Sequence, residues 1–196
     1  MTTHPGQLDH VWYVAYGSNL SVDRFRCYLH GGTPPGGRRT YPGCRDRTEP
    51  ARTVALQIRG RLAFTGVSTT WGGGTAVFDP AGDDEVAAAA YLLRTGQLAD
   101  VLAQEMRRAP DVDLDLVDLD RNGRCRLGPG RYETVVRVGT LDHIPLLTLT
   151  SDSLAAAPVT TPTEAYLRTM EDGLRDTHGW DAERIRAYLA LIPGAA

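Results

Sequence analysis

An unbroken run of strand-forming residues, Val11, Trp12, Tyr13, Val14, Ala15 and Tyr16, stops at Gly17, Ser18, Asn19 and Leu20. β-Branched and aromatic residues side by side suit a pleated, largely buried strand. Gly17, Ser18 and Asn19 tolerate unusual dihedrals and leave backbone N–H groups exposed. Ser21 follows as an N-cap for a helix beginning at Val22. A strand, a polar corner and a helix start in succession make a place where backbone donors can hold an anion or a developing oxyanion.

The remaining pattern is rich in strands. They are expected over 53–58 and 61–65, joined as a hairpin at Gly60, and over 75–78, 132–138 and 144–150. The run 86–93 contains four alanines, which favour helix, but its shortness and its flanks favour a buried strand. Val112, Leu114 and Leu116 alternate with Asp111, Asp113 and Asp115, an edge-strand pattern with one acidic face. Asn122 and Gly123 read as the turn from that strand into 124–127. The first helix should end near His30, Gly31 and Gly32. Another is expected over 95–106 with Thr95 as its cap, and two more over 163–177 and 181–191, separated by Gly179. Strands with one helix in their midst and helices at the end imply an α+β fold, its mostly antiparallel sheet curled into a small barrel with flanking helices. A length of 196 residues suits one domain, over 8–192.

Composition narrows the chemistry. Every basic side chain other than histidine is arginine, so a lysine Schiff base and a P-loop drop out. A net charge of −3 provides no overall field for nucleic acid or an anionic membrane, and no apolar run is long enough to span a bilayer. Arg38, Arg39, Arg45, Arg47 and Arg52 near Tyr41 read as a solvated loop, with room for one arginine to meet a substrate carboxylate. Cys27, Cys44 and Cys125 are odd in number and widely spaced, which suits reduced thiols in a cytoplasm, and 1–6 lacks the features of a signal peptide. His4, His10, His30, His143 and His178 have no ligand spacing, so no metal is expected. Asp118, Asp120, Asn122 and Gly123 imitate a calcium loop, but its twelfth position is Pro129. Cys27 and His30 stand three apart, and packing beside Phe25, Tyr28 and Leu29 explains the cysteine better than a thiol nucleophile does.

Glu105 is the carboxylate in an unusual place. It follows Leu98 by seven residues, Val101 by four and Leu102 by three, so helical geometry sets it on the apolar stripe. Removing a carboxylate from water costs several kcal/mol unless it is paired or neutralised, roughly what a buried ion loses. An inward glutamate of this kind is a candidate general base or acid. On the residues alone, an exposed Glu105 pairing with Arg107 or Arg108 is the competing reading.

The wording Ala15-Tyr16-Gly17-Ser18-Asn19-Leu20 resembles the signature of the γ-glutamylcyclotransferase family. Trp71-Gly72-Gly73, the acidic stretch Gly82-Asp83-Asp84-Glu85-Val86, and Leu98 through Gln104-Glu105 follow in the order seen in that family, and Pro162-Thr163-Glu164-Ala165-Tyr166 matches a pattern in which a tyrosine reaches the pocket. The resemblance implies that Glu105 is the catalytic acid/base and that Tyr16, Gly17, Ser18, Asn19, Leu20, Trp71, Gly72, Gly73 and Tyr166 contact substrate. It further implies release of 5-oxoproline and a free amine from a small γ-glutamyl amide, with no cofactor, by a monomer or homodimer. Asn19 looks more like the branch acting on γ-glutamyl amines and γ-glutamyl amino acids than the glutathione-degrading branch. Met106 stands where glycine often follows the glutamate, and Val112 falls where a tyrosine is usual. Both departures bear on substrate choice more than on reaction type. The alternatives are a non-catalytic binding module of the same fold, and an amide hydrolase or acyl transferase acting on a γ-glutamyl-protected small molecule.

Overall fold

The computed structural model describes residues 9–111 and 117–195. Six strands form one sheet: β1 (His10–Ala15), β2 (Thr53–Thr65), β3 (Thr75–Arg94), β4 (Arg124–Arg126), β5 (Thr134–Leu141) and β6 (Ile144–Thr150). Their spatial order is β2-β3-β1-β6-β5-β4. All neighbours are antiparallel except β1 and β6, which run parallel. The fold is α+β with a mostly antiparallel sheet, as the pattern implies, but β2 and β4 remain edges and the sheet does not close into a barrel.

Position in the sheet explains the strand sequences. β1 lies between β3 and β6, and Val11 to Ala15 are all buried, so an apolar run without alternation is what a centre strand covered on both faces requires. Edge strand β2 alternates between exposed and covered residues along most of its length. β3 carries the alanine run opposite β1 and β2, with Ala87 to Ala90 fully buried, and the strand reading of 86–93 holds.

Gly60 does not turn the chain. Residues 53–65 form a single strand whose register against β3 shifts between Gly60 and Arg61. Gly60 pairs with Asp84 and Arg61 with Asp79, so residues 80–83 bulge out of β3, and the expected separate strands at 75–78 and 86–93 are one. Glycine is needed there because a Cβ would lie 2.2 Å from the Phe78 ring. The alternation at 112–116 falls outside the described residues. Asn122 ends a short helix, α3 (Val117–Asn122), so the turn before β4 leaves a helix and not a strand.

The other helices are α1 (Val22–His30), α2 (Thr95–Glu105), α4 (Asp152–Ala155), α5 (Glu164–His178) and α6 (Ala182–Ala190). Ser21 Oγ caps α1 by accepting from Arg24 N at 3.3 Å. The cap position of α2 is Arg94 and not Thr95: Arg94 N donates to Gln97 Oε1 at 3.0 Å. α2 therefore begins directly at the end of β3, where Arg94 pairs with His10 at the start of β1. Eleven helical residues rise roughly 16 Å, and the six of β1 span about the same distance. The helix thus retraces the length of β1, which brings its last residue, Glu105, level with the exit of that strand.

Replacing Gly60 with alanine is expected to destabilise the fold by about 1–3 kcal/mol through overpacking against Phe78. Urea unfolding with an unchanged m-value is the measurement, and an unaltered midpoint would contradict the close approach.

Candidate functional site

The exit of β1 opens into a cleft lined by residues from β1, α1, β3, α2, β6, α5 and the loops between them. Gly17 leads into a 3₁₀ turn over Ser18–Leu20, closed by Leu20 N donating to Gly17 O at 2.9 Å. Asn19 is buried, and its Nδ2 donates to Glu105 Oε1 at 3.1 Å and to Tyr13 Oη at 3.1 Å. Glu105 is half-buried at the C-terminal end of α2. Its carboxyl faces the cleft and does not pair with Arg107 or Arg108: Arg107 reaches Thr69 Oγ1, and Arg108 reaches the carbonyls of Leu127 and Pro129.

Tyr166, one turn into α5, places its hydroxyl oxygen 3.3 Å from both Ser18 N and Ala76 N, and both amides donate to it. That approach dictates glycine at position 17, since a Cβ there would come within 2.7 Å of the hydroxyl. Tyr132 donates to Ala76 O at 2.7 Å, and Tyr16 to Leu149 O at 2.8 Å. Burial pushes the Tyr13, Tyr16, Tyr132 and Tyr166 hydroxyls above the ordinary tyrosine value, and the Glu105 charge adds to the shift at Tyr13, Tyr132 and Tyr166. The walls around Glu105 are therefore neutral phenols that keep their protons at physiological pH.

Loop 38–52 is irregular but not a free, solvated segment. The polar residues of α2 serve as its partners. Asp100 is buried and accepts from Arg45 N at 2.7 Å and from the Arg45 guanidinium at 2.8 Å. Gln97 Nε2 donates to Thr48 O at 2.8 Å, and Gln104 Oε1 accepts from Gly43 N at 3.3 Å. Arg39 comes from this loop to the cleft wall, with Nη2 donating to Gln104 O at 3.0 Å.

No family model matches the chain. It is 32% identical over 198 residues to the protein named Histone deacetylase 5 from Arabidopsis thaliana, an alignment covering 91% of this chain and 30% of that protein. The chain thus spans under a third of the curated relative it matches. Among solved structures it superposes on uncharacterized protein loc79017 from Homo sapiens with a TM-score of 0.56 at 19% identity, covering 96% of this chain and 92% of the other. It superposes on a protein titled Gamma-glutamyl cyclotransferase with a TM-score of 0.55 at 18% identity, covering 95% and 90%.

The fold is that of a γ-glutamyl cyclotransferase.

Within this cyclotransferase fold, the cleft brings together Tyr16, Gly17, Ser18, Asn19, Trp71, Glu105 and Tyr166 from the residues singled out in the sequence. Leu20, Gly72 and Gly73 are not in its walls. Leu20 is fully buried in the core beneath the turn. Gly73 bridges to Pro162, and Gly74 N donates to Thr161 O at 2.8 Å, so this glycine stretch docks the segment from which Thr163 caps α5. Its effect on the cleft runs through Tyr166. The cleft also contains residues that sequence patterns do not single out, among them Tyr13, Arg24, Arg131 and Tyr132. Arg24 sits at α1 spacing beside Phe25 and Tyr28, and nothing local marks it as inward.

Cys27 and His30 do not pair: Cys27 Sγ contacts Asp23 O, and His30 Nε2 lies 3.0 Å from Glu49 Oε1. Cys44 is buried, and burial, reinforced by the Asp100 charge, pushes its thiol up to about 12. Among the described residues, no group of three or more His, Cys, Asp or Glu is arranged to hold a metal ion, and no helix is long and apolar enough to cross a membrane. In a thiol-reagent titration at pH 8, half-exposed Cys27 should react with the folded protein and Cys44 only after denaturant is added. Equal rates for the two would contradict the burial and the raised thiol value.

Proposed function

We propose that this chain is a γ-glutamyl cyclotransferase in which Glu105 is the acid/base. A γ-glutamyl group carries its own nucleophile, the α-amine, at the distance needed to close a five-membered ring, so the protein need not supply one. Folding the chain back in a cleft yields the high effective molarity of intramolecular attack. Glu105 takes a proton from the ammonium, and the amine nitrogen attacks the γ-carbonyl carbon. The new ring C–N bond forms as the bond to the leaving amine breaks. The two protons shed by the attacking nitrogen are balanced by two gained by the leaving amine, and Glu105 returns one of them. The products are 5-oxoproline and a free amine.

The observation that carries this reading is the Asn19 to Glu105 hydrogen bond at 3.1 Å, which holds one carboxylate oxygen and leaves the group facing the cleft. Tyr166 supports it. With two N–H groups directed at its oxygen, its own proton turns away from them and can be donated to the carbonyl oxygen as negative charge develops there. Neither 18–19% identity nor a partial match to a deacetylase brings an activity with it, so the assignment rests on the cleft.

Incubation with a panel of γ-glutamyl amines and γ-glutamyl amino acids, scored by mass for 5-oxoproline, is the test. Glu105→Gln keeps the shape and is expected to lower turnover by about 10²–10⁴-fold, the range of a positioned acid/base. Equal turnover by both proteins removes Glu105 from the reaction. Binding with no turnover assigns the cleft to a binding module of the same fold, and release of free glutamate assigns it to an amidase.

A further inference from the structure

Arg24 is 3% exposed and lines the cleft. Its Nη2 donates to Tyr41 Oη at 2.7 Å, while Nε and Nη1 are buried with no hydrogen-bond partner among the described residues. The guanidinium carbon lies 4.6 Å from the Tyr28 ring centroid, 4.4 Å from that of Tyr41 and 5.9 Å from that of Trp71. Aromatic faces stabilise a cation but offer no lone pairs to N–H groups in the guanidinium plane. Burial works against the Arg24 charge, while the polar hydroxyls of Tyr28 and Tyr41, the former within hydrogen-bonding reach, and the Glu105 carboxylate favour it, so its pKa is raised. The charge is thus favoured, but buried guanidinium nitrogens without an acceptor at a cleft wall are costly to leave so. A second unused valence lies in the same cleft: Asn19 Oδ1 is buried and has no donor among the described residues.

The two vacancies have opposite polarity. Glu105 and Asn19 Oδ1 can accept N–H protons from an ammonium, and Arg24 can donate to a carboxylate. We propose that Arg24 recognises the α-carboxylate of the substrate's glutamyl head, so that the cleft reads a zwitterionic amino acid and not merely a γ-acyl amide; this deepens the cyclotransferase reading and rests on it. The carboxylate takes a charge-assisted hydrogen bond from the free edge of the guanidinium. It fixes which way the head group lies, and so presents the amine to Glu105. The other arginines of the cleft are less suited. Arg107 is exposed and bound to Thr69, and Arg39 is bound to the Gln104 carbonyl. Arg131, whose Nη2 is also buried without a partner among the described residues, is the competitor.

The test compares a γ-glutamyl amide with the 4-aminobutanoyl amide of the same amine, which closes the same ring but lacks the α-carboxylate. The ratio of kcat/KM for the two within one preparation does not depend on the fraction folded. Wild type should prefer the γ-glutamyl compound by at least about 100-fold, since a site built around a polar group rejects an analogue without it. Arg24→Met should reduce that preference to within about 10-fold, with Arg24→Lys between, and Arg131→Met should leave it in place. Equal losses on both substrates in Arg24→Met, or collapse of the preference in Arg131→Met, overturns the proposal. Calorimetric binding of L-glutamate and of 4-aminobutanoate separates this outcome from failure of the reaction itself. If no γ-glutamyl compound is turned over, the cyclotransferase reading fails, while tighter binding of L-glutamate that disappears in Arg24→Met still assigns the carboxylate to Arg24. Equal binding of the two ligands overturns it.

Discussion

The hydrogen bond between Asn19 and Glu105 joins positions 86 residues apart in the chain and ties the exit of β1 to the end of α2 across the cleft. A glutamate at the C-terminal end of a helix faces the negative end of the helix dipole, which makes the position unfavourable for a carboxylate. Half-burial adds a desolvation cost. The Asn19 amide supplies a donor to offset both, and it is available only because the chain turns sharply at Gly17. The contact is a consequence of two lengths, since α2 returns over about the same distance as β1 advances.

What keeps α2 in that place is an unusually polar helix face. Gln97, Asp100 and Gln104 are almost fully buried, and each is satisfied by the backbone of loop 38–52 or of Tyr28. The loop has no ladder of its own, so its amides and carbonyls must find side chains, and α2 presents them at successive turns. One set of bonds therefore orders the loop, anchors the helix and brings Arg39 to the cleft wall. Arg24 is held by stacking against Tyr28 and Tyr41. The result is a cleft with a carboxylate at one point and a buried guanidinium at another, both among tyrosine side chains.

Local patterns were legible where the physics is local. The buried run of β1, the caps Ser21 and Thr163, and the strand character of 86–93 follow from burial, capping and β-propensity in neighbouring residues. Spacing left Glu105 open between an inward carboxylate and an exposed partner of Arg107 or Arg108, and the family resemblance favoured the first. Misreadings arose where a residue's meaning depends on a distant partner. Gly60 resembles a turn residue, yet its lack of a side chain accommodates the Phe78 ring across the strand pair. The family resemblance places Gly72 and Gly73 against substrate, yet neither lines the cleft and Gly73 pairs with the segment preceding α5. Arg24 carries no sequence signal, because a helix-surface arginine and one folded inward between two tyrosines are spelled alike.

From its sequence alone this chain determined a central strand, the sharp exit that follows it, the helix carrying Glu105 and the α+β class, since each is written in the spacing of adjacent residues. Tertiary structure alone decided that the strand exit, the helix end and α5 converge on one cleft, that the sheet stays open, and that a buried guanidinium faces the same space as the carboxylate. Those outcomes come from pairing registers, element lengths and packing between residues far apart in the chain, which no short window of sequence contains.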